Sequence, residues 1–259
     1  MLEKRSSNFI DSPQPLSRDI PSHHAQPNGF NKIVSIGYGK NKSHRLPICH
    51  YSLQINIIGL STTGLTSGIG LAALGHKVIA VDHDQRKINA LNQGSISFTD
   101  SKLNPLLKQV RRLNNLVGST DLHHAILNTD ITMVCIGDKD LEKKTPISLN
   151  IISVIEQISA TLSSKREFHT IVMCQSMINT QLKQFIGTKI EKDTGKTLGK
   201  DFGLCFLPVT LKDNQALDDF YSLSDMTIMA SDIRSETLID KLLDGFKNKI
   251  KYSRYVKVA

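Results

Sequence analysis

Residues 54–82, QINIIGLSTTGLTSGIGLAALGHKVIAVD, constrain the fold of this chain more than any other stretch. The apolar run of Ile55, Ile57 and Ile58 has strand character and leads directly into Gly59-Leu60-Ser61-Thr62-Thr63-Gly64. A small-residue apolar segment follows, predicting a helix to about Leu74 with Gly75 as its C-cap. Lys77–Val81 reads as a second strand, and Asp82 stands at its end. Strand, glycine turn, helix, strand and terminal acid together make the start of a dinucleotide-binding βαβ unit.

Each residue type has a job in such a unit. One glycine lets the chain turn sharply out of the strand, a second lets backbone N–H groups approach a pyrophosphate, and a third lets helix and sheet pack closely. The helix N-terminus offers unpaired donors and partial positive charge to the phosphates. Gly59 and Gly64 supply the first and third glycines, with Thr62 and Thr63 between, but the second is Ser61, whose side chain either occupies space where a cofactor would pass or donates a hydrogen bond to it through its hydroxyl. Asp82 is the acid placed to accept ribose hydroxyls, and its charge favours NAD over NADP by repelling a 2′-phosphate. The other reading of the same residues is a sheet of this type that binds no nucleotide.

Beyond Asp82, strand and helix patterns alternate. Helices are expected at Gln85–Asn92 (capped by Asp84, ended by Gly94), Leu103–Leu113, Asp121–Leu127, Leu149–Leu162, Thr180–Lys192 and Glu236–Ile250. Strands are expected at Leu116–Thr120, Ile131–Ile136, Thr170–Met173, Phe202–Leu207 and Met226–Met229. The alternation predicts an α/β fold: a doubly wound, mostly parallel, Rossmann-like sheet over residues 51–259. Residues 1–50 read as a largely disordered extension rich in Ser, Pro, Gln, Asn and His. Within it, residues 31–38 suggest a short strand, in a small hairpin or as an added edge, and 40–50 a basic linker.

Composition narrows the function classes. The net charge is +8, of which residues 1–50 hold seven basic and three acidic side chains, so the extension carries half of the excess. The remainder is interspersed with acids, and with no Trp and few aromatics the chain lacks stacking surfaces for single strands, which argues against a nucleic-acid partner. Cys49, Cys135, Cys174 and Cys205 contain no C-x-x-C pair, and the last three lie in apolar runs, so reduced thiols of a cytoplasmic protein are expected. No run approaches the ~20 apolar residues of a membrane span. The histidines show no zinc-ligand spacing, and the basic end Lys247, Lys249, Lys251, Arg254 and Lys257 reads as a solvated tail.

A longer set of matches then emerges. Gly75-His76-Lys77-Val78-Ile79-Ala80-Val81-Asp82, Lys87-Ile88-Asn89-Ala90-Leu91-Asn92-Gln93-Gly94, Ser119-Thr120-Asp121, Val134-Cys135-Ile136-Gly137, His169-Thr170-Ile171-Val172 and Asp201-Phe202-Gly203 occur in the order and register of one family. Over about residues 54–245 the chain resembles the N-terminal NAD-binding domain of the UDP-glucose/GDP-mannose 6-dehydrogenase family, nearest its GDP-mannose branch. The resemblance implies NAD as cofactor and adds Lys87, Gly137 and Ser176 to the candidate cofactor contacts Gly59, Ser61, Thr62, Thr63, Gly64 and Asp82.

It also marks departures. The family oxidises the C6 alcohol of a nucleotide sugar twice, using a cysteine nucleophile in a Gly-Gly-Ser-Cys loop, a lysine, and a glutamate that positions water. Here Val209 stands at the glutamate, Asp138-Lys139 replace Thr-Pro after Gly137, and none of the four cysteines stands in such a loop. The implied function is an NAD-binding domain, inactive or impaired by itself, with a regulatory or accessory part in polysaccharide synthesis and a nucleotide sugar or a protein as partner. Two rival expectations are a subunit of a working dehydrogenase completed by another chain, and an interaction protein that binds no cofactor.

Overall fold

The computed structural model describes residues 26–27, 35–38, 42–46, 48–136, 149–175, 180–223, 227–244, 246 and 251–254. Two short antiparallel pairs come first: β1 (Gln26–Pro27) with β4 (Tyr51–Ser52), and β2 (Ser35–Tyr38) with β3 (Lys42–Arg45). The second pair realises the hairpin alternative and takes its return strand from the stretch expected as linker. Among the described residues the main sheet has eight strands: β5 (Gln54–Ile58), β6 (Lys77–Val81), β7 (Leu116–Ser119), β8 (Ile131–Val134), β9 (His169–Gln175), β10 (Phe202–Pro208), β11 (Thr227–Ala230) and β12 (Lys251–Arg254). Their order is β12-β11-β10-β9-β8-β5-β6-β7, parallel throughout except where β11 lies antiparallel to β10. The six parallel strands thus form two three-stranded halves, β7-β6-β5 and β8-β9-β10, meeting where the strand order reverses between β5 and β8.

The helices are α1 (Thr62–Ala73), α2 (Gln85–Gln93), α3 (Leu103–Arg112), α4 (Leu122–Leu127), α5 (Leu149–Leu162), α6 (Thr180–Thr194), α7 (Ala216–Tyr221) and α8 (Ile233–Leu242). Strand side chains alternate between two cores. Ile55, Ile57, Met133, Val172 and Cys205 face the layer of α1, α3, α7 and α8, whereas Ile58, Val134, Ile171 and Phe206 face that of α4, α5 and α6. Burial on both faces explains why these strands read as nearly continuous apolar runs. Leu46 and Cys49, from the expected extension, are buried in the first of these cores.

The C-terminal expectation needs correcting. The helix predicted for 236–250 runs instead from Ile233 to Leu242, started by Asp232, whose carboxylate accepts from Ser235 N–H. Phe246 leaves the helix to pack edge-on against Phe220 and Tyr221. Lys251–Arg254, expected as a solvated tail, pairs with β11 as an edge strand.

Two histidines are built into the scaffold as neutral rings. His169 Nδ1 faces Thr129 O at 3.0 Å, so it carries the proton, and Nε2 accepts from Thr132 Oγ1 at 2.6 Å. Asn56 Nδ2 donates to Thr129 Oγ1 and Thr132 Oγ1, completing a polar network beneath the apolar sheet. Lys165, also buried, donates to the carbonyls of Ile126, Leu127 and Thr129 and so caps the end of α4. His76 Nδ1 accepts from Leu53 N–H at 3.1 Å while Nε2 donates to Leu242 O at 3.1 Å, tying α8 to the start of β5. Burial lowers His76 to about 4, against smaller raising effects of Leu242 O and Asp244. Burial, reinforced by the nearby Lys165 charge, lowers His169 to about 3.

Candidate functional site

The site is assembled where β5 ends. Gly59 turns the chain with φ of +95°, a conformation that suits glycine, and donates its N–H to Val81 O at 2.8 Å, leaning the turn toward β6. A side chain at Gly59 would come within 2.9 Å of Cys135 O, and one at Gly64 within 1.8 Å of Gly59 O. Both glycines are therefore required by close approach: turn against β8, and helix α1 against turn. Helix α1 then points its N-terminus at the turn. Its first-turn amides at Thr62 and Thr63 have no acceptor within the helix.

Ser61 is the N-cap of α1, in extended conformation. Its hydroxyl accepts from Gly64 N–H at 3.3 Å and donates to Cys135 O at 2.9 Å. Ser61 at this place is thus a good helix starter and a bridge from the glycine turn to the end of β8.

Asp82 follows β6 and is almost completely buried. Oδ2 accepts from Leu60 N–H at 2.9 Å and from Lys87 Nζ at 3.2 Å; Oδ1 accepts from Asp84 N–H at 3.0 Å and lies 3.4 Å from His83 Nδ1. Burial pushes its carboxyl up, but the amides of Asp84 and Leu60 and the Lys87 ammonium together outweigh it, holding Asp82 below the usual carboxylate range. Asp82 therefore presents a fixed charge. A ribose diol would reach it by taking over the places of the exposed His83 and half-exposed Lys87 side chains, while the two backbone donors stay.

Above these residues opens a cleft of about 820 Å³ lined by Gly59, Ser61, Asp82, Lys87 and Thr120, by Cys135 and Ile136 after β8, and by Asn150, Ser153 and Gln157 of α5. The structure so brings Gly59, Ser61, Asp82 and Lys87 into one cleft, with Thr62, Thr63 and Gly64 as the helix start at its edge. Gly137 and Ser176 lie outside the described residues. Asn150, Ser153 and Gln157 were not singled out from sequence, though a polar stripe spaced three and four residues apart on this helix was a readable signal. The role of Cys135 O carried no signal, being a backbone atom 74 residues from its partner.

The donor set suits the adenosine and first phosphate of a dinucleotide: an ionised, buried acid beside first-turn amides. Among the described residues no group of three or more His, Cys, Asp or Glu side chains is arranged to hold a metal ion.

Comparison with known proteins decides the lineage. The model of the UDP-glucose/GDP-mannose dehydrogenase family, NAD binding domain, matches residues 53–246. The chain belongs to this family. GDP-mannose 6-dehydrogenase of Pseudomonas aeruginosa is 32% identical over 178 residues, covering 68% of this chain and 40% of that enzyme. UDP-glucose 6-dehydrogenase of Haloferax volcanii is 27% identical over 190 residues, covering 73% and 44%. The ternary-complex crystal structure of the Pseudomonas aeruginosa GDP-mannose dehydrogenase superposes with a TM-score of 0.70 at 28% identity, over 78% of this chain and 46% of that one. A UDP-glucose dehydrogenase from Pyrobaculum islandicum gives 0.67 at 19% identity, over 84% and 48%, and shows the shared fold. The chain thus spans less than half the length of these relatives. Among its described residues no helix is long and apolar enough to cross a membrane.

Proposed function

We propose that this chain is an NAD-binding module that does not, by itself, oxidise a nucleotide sugar. NAD would be held by Gly59, the α1 amides at Thr62 and Thr63, Asp82 and Lys87. When bound, it supplies a hydride acceptor. The observation carrying the binding half of the reading is the buried, ionised Asp82, locked to the glycine turn through Leu60 N–H beside the open cleft.

The thiols support the other half. Nucleophilic oxidation of an aldehyde needs an accessible thiolate, and all four cysteines are buried. Contact with the Cys135 thiol and burial hold Cys174 well above the usual thiol range. Burial raises Cys205 as well, aided by the Asp232 charge. Val209, at the place of the family's water-positioning glutamate, is buried and has no group to take a proton. The soluble partner in this reading is a nucleotide sugar or a protein of the same biosynthetic process, on which the module acts as a regulator or accessory.

Purified chain mixed with NAD and either GDP-mannose or UDP-glucose is expected to bind NAD by calorimetry and to accumulate no NADH. Steady growth of NADH absorbance from this chain alone would overturn the non-catalytic half; absence of heat with NAD would overturn the binding half and favour an interaction protein that takes no cofactor.

A further inference from the structure

Resting on the NAD reading above, we propose that Gln157, backed by Ser153 on the same face of α5, reads the base of the bound nucleotide and makes the site selective for adenine over hypoxanthine. Three observations carry the assignment.

The first is the direction the base must take. Asp82 would hold the two ribose hydroxyls, and the glycine turn with the start of α1 lies toward the phosphate. In a nucleotide the base and the phosphate arm leave the ribose at opposite ends of its diol edge. With the hydroxyls at Asp82 and the phosphate at the turn, the base is carried away from α1, toward the part of the cleft bounded by Thr120 after β7 and by α5.

The second is the surface found there. Leu122 of α4, Ile136 after β8 and Val154 of α5 give this space apolar sides, which suit the faces of a purine. A few polar groups then fix the orientation of a ligand in such a pocket. Ser153 and Gln157 are four residues apart, so they stand one above the other on the helix face that lines the cleft.

The third is the chemistry of the Gln157 side chain. Its Nε2 donates back to Ser153 O and to Ser153 Oγ, each at 3.4 Å, longer than a strong N–H···O bond. Nε2 carries two hydrogens, so it can keep one on Ser153 while the other goes to a base. The edge of adenine made by N6 and N7 offers one donor beside one acceptor, and a glutamine carboxamide matches both at once. Hypoxanthine carries oxygen in place of that amine. The same edge then has two acceptors, and the carboxamide makes one bond only.

Calorimetric titration of the full chain with NAD and with its hypoxanthine analogue tests this, in wild type, Gln157→Ala and Gln157→Met. Residue 157 is exposed on a helix, and alanine and methionine both favour helix, so the variants should stay folded, which circular dichroism checks. Wild type is expected to bind NAD about tenfold more tightly than the hypoxanthine dinucleotide. Both variants are expected to bring the two affinities within about threefold, chiefly by weakening NAD. A wild-type preference below about threefold, or one that stays above it in the variants, overturns the assignment of Gln157 and leaves NAD binding standing. Failure of wild type to bind either dinucleotide overturns both.

Discussion

Acidifying a solution of this protein from pH 7 to about 4.5 is expected to remove on the order of 5 kcal/mol of folding stability, at about 3 kcal/mol per pH unit. The cause is the pair of buried neutral histidines. In the unfolded chain both rings take up protons as pH falls below about 6.5, whereas folding holds His76 down to about 4 and His169 to about 3. Throughout that window the unfolded state binds more protons, so the stabilisation is fully present above pH 6.5 and is lost as pH falls toward the folded values. The hydrogen bonds show why the folded rings resist. A second proton on His76 would point at Leu53 N–H, and on His169 it would displace the Thr132 hydroxyl proton. Urea unfolding at a series of pH values measures the slope. Since domains of this kind are stable by ~5–15 kcal/mol, the loss takes the whole margin of a protein at the low end of that range by about pH 4.5 and a third or more of the margin of one at the high end. A stability constant between pH 7 and 5 would mean that these rings are not buried in the arrangement described.

Replacing Gly64 by alanine is expected to cost about 3 kcal/mol, lowering the thermal midpoint by about 10 °C. Alanine favours a helix over glycine by about 1 kcal/mol, so propensity alone predicts a gain. The contact decides the sign: the new Cβ would lie 1.8 Å from Gly59 O, a backbone atom that cannot swing aside. Relief requires α1 to move off the turn, and with it the Ser61 cap and the packing of Ile69 and Leu71 against the sheet. Thermal unfolding followed by circular dichroism measures the shift, and a midpoint unchanged or raised would show that α1 and the turn are not packed this closely.

What could be read beforehand follows physical range. Gly64, Gly75 and Asp82 act within their own βαβ unit, so their spacing exposes their roles, and Asp84, Gly94 and Asp121 mark helix ends through bonds spanning two to four residues. Helix α7 is different. It has six residues and no side-chain cap, and it is anchored by Asp100, whose Oδ2 accepts from Leu217 N–H across 117 positions, and by the Lys102–Asp218 ion pair. No local pattern announces it. The same applies to the C-terminus, where apolar spacing through Phe246 continues a helical period but the aromatic contacts with Phe220 and Tyr221, and the open edge of β11, pull the chain into other shapes. In the site itself, serine at the middle glycine position was visible as a departure; that its hydroxyl bonds the end of β8 depended on the tertiary fold.

The central claim is that Asp82 and the glycine turn hold the adenosine ribose of NAD, and calorimetric titration of NAD into wild type and Asp82→Asn tests it most directly. Asparagine keeps the shape and an acceptor for Leu60 N–H but loses the charge, and hydrogen bonds to charged groups exceed neutral ones by about 1.5 kcal/mol. The variant should therefore bind NAD about tenfold more weakly than wild type with its fold intact. Equal affinities in the two proteins would contradict the assignment of Asp82 as the ribose contact.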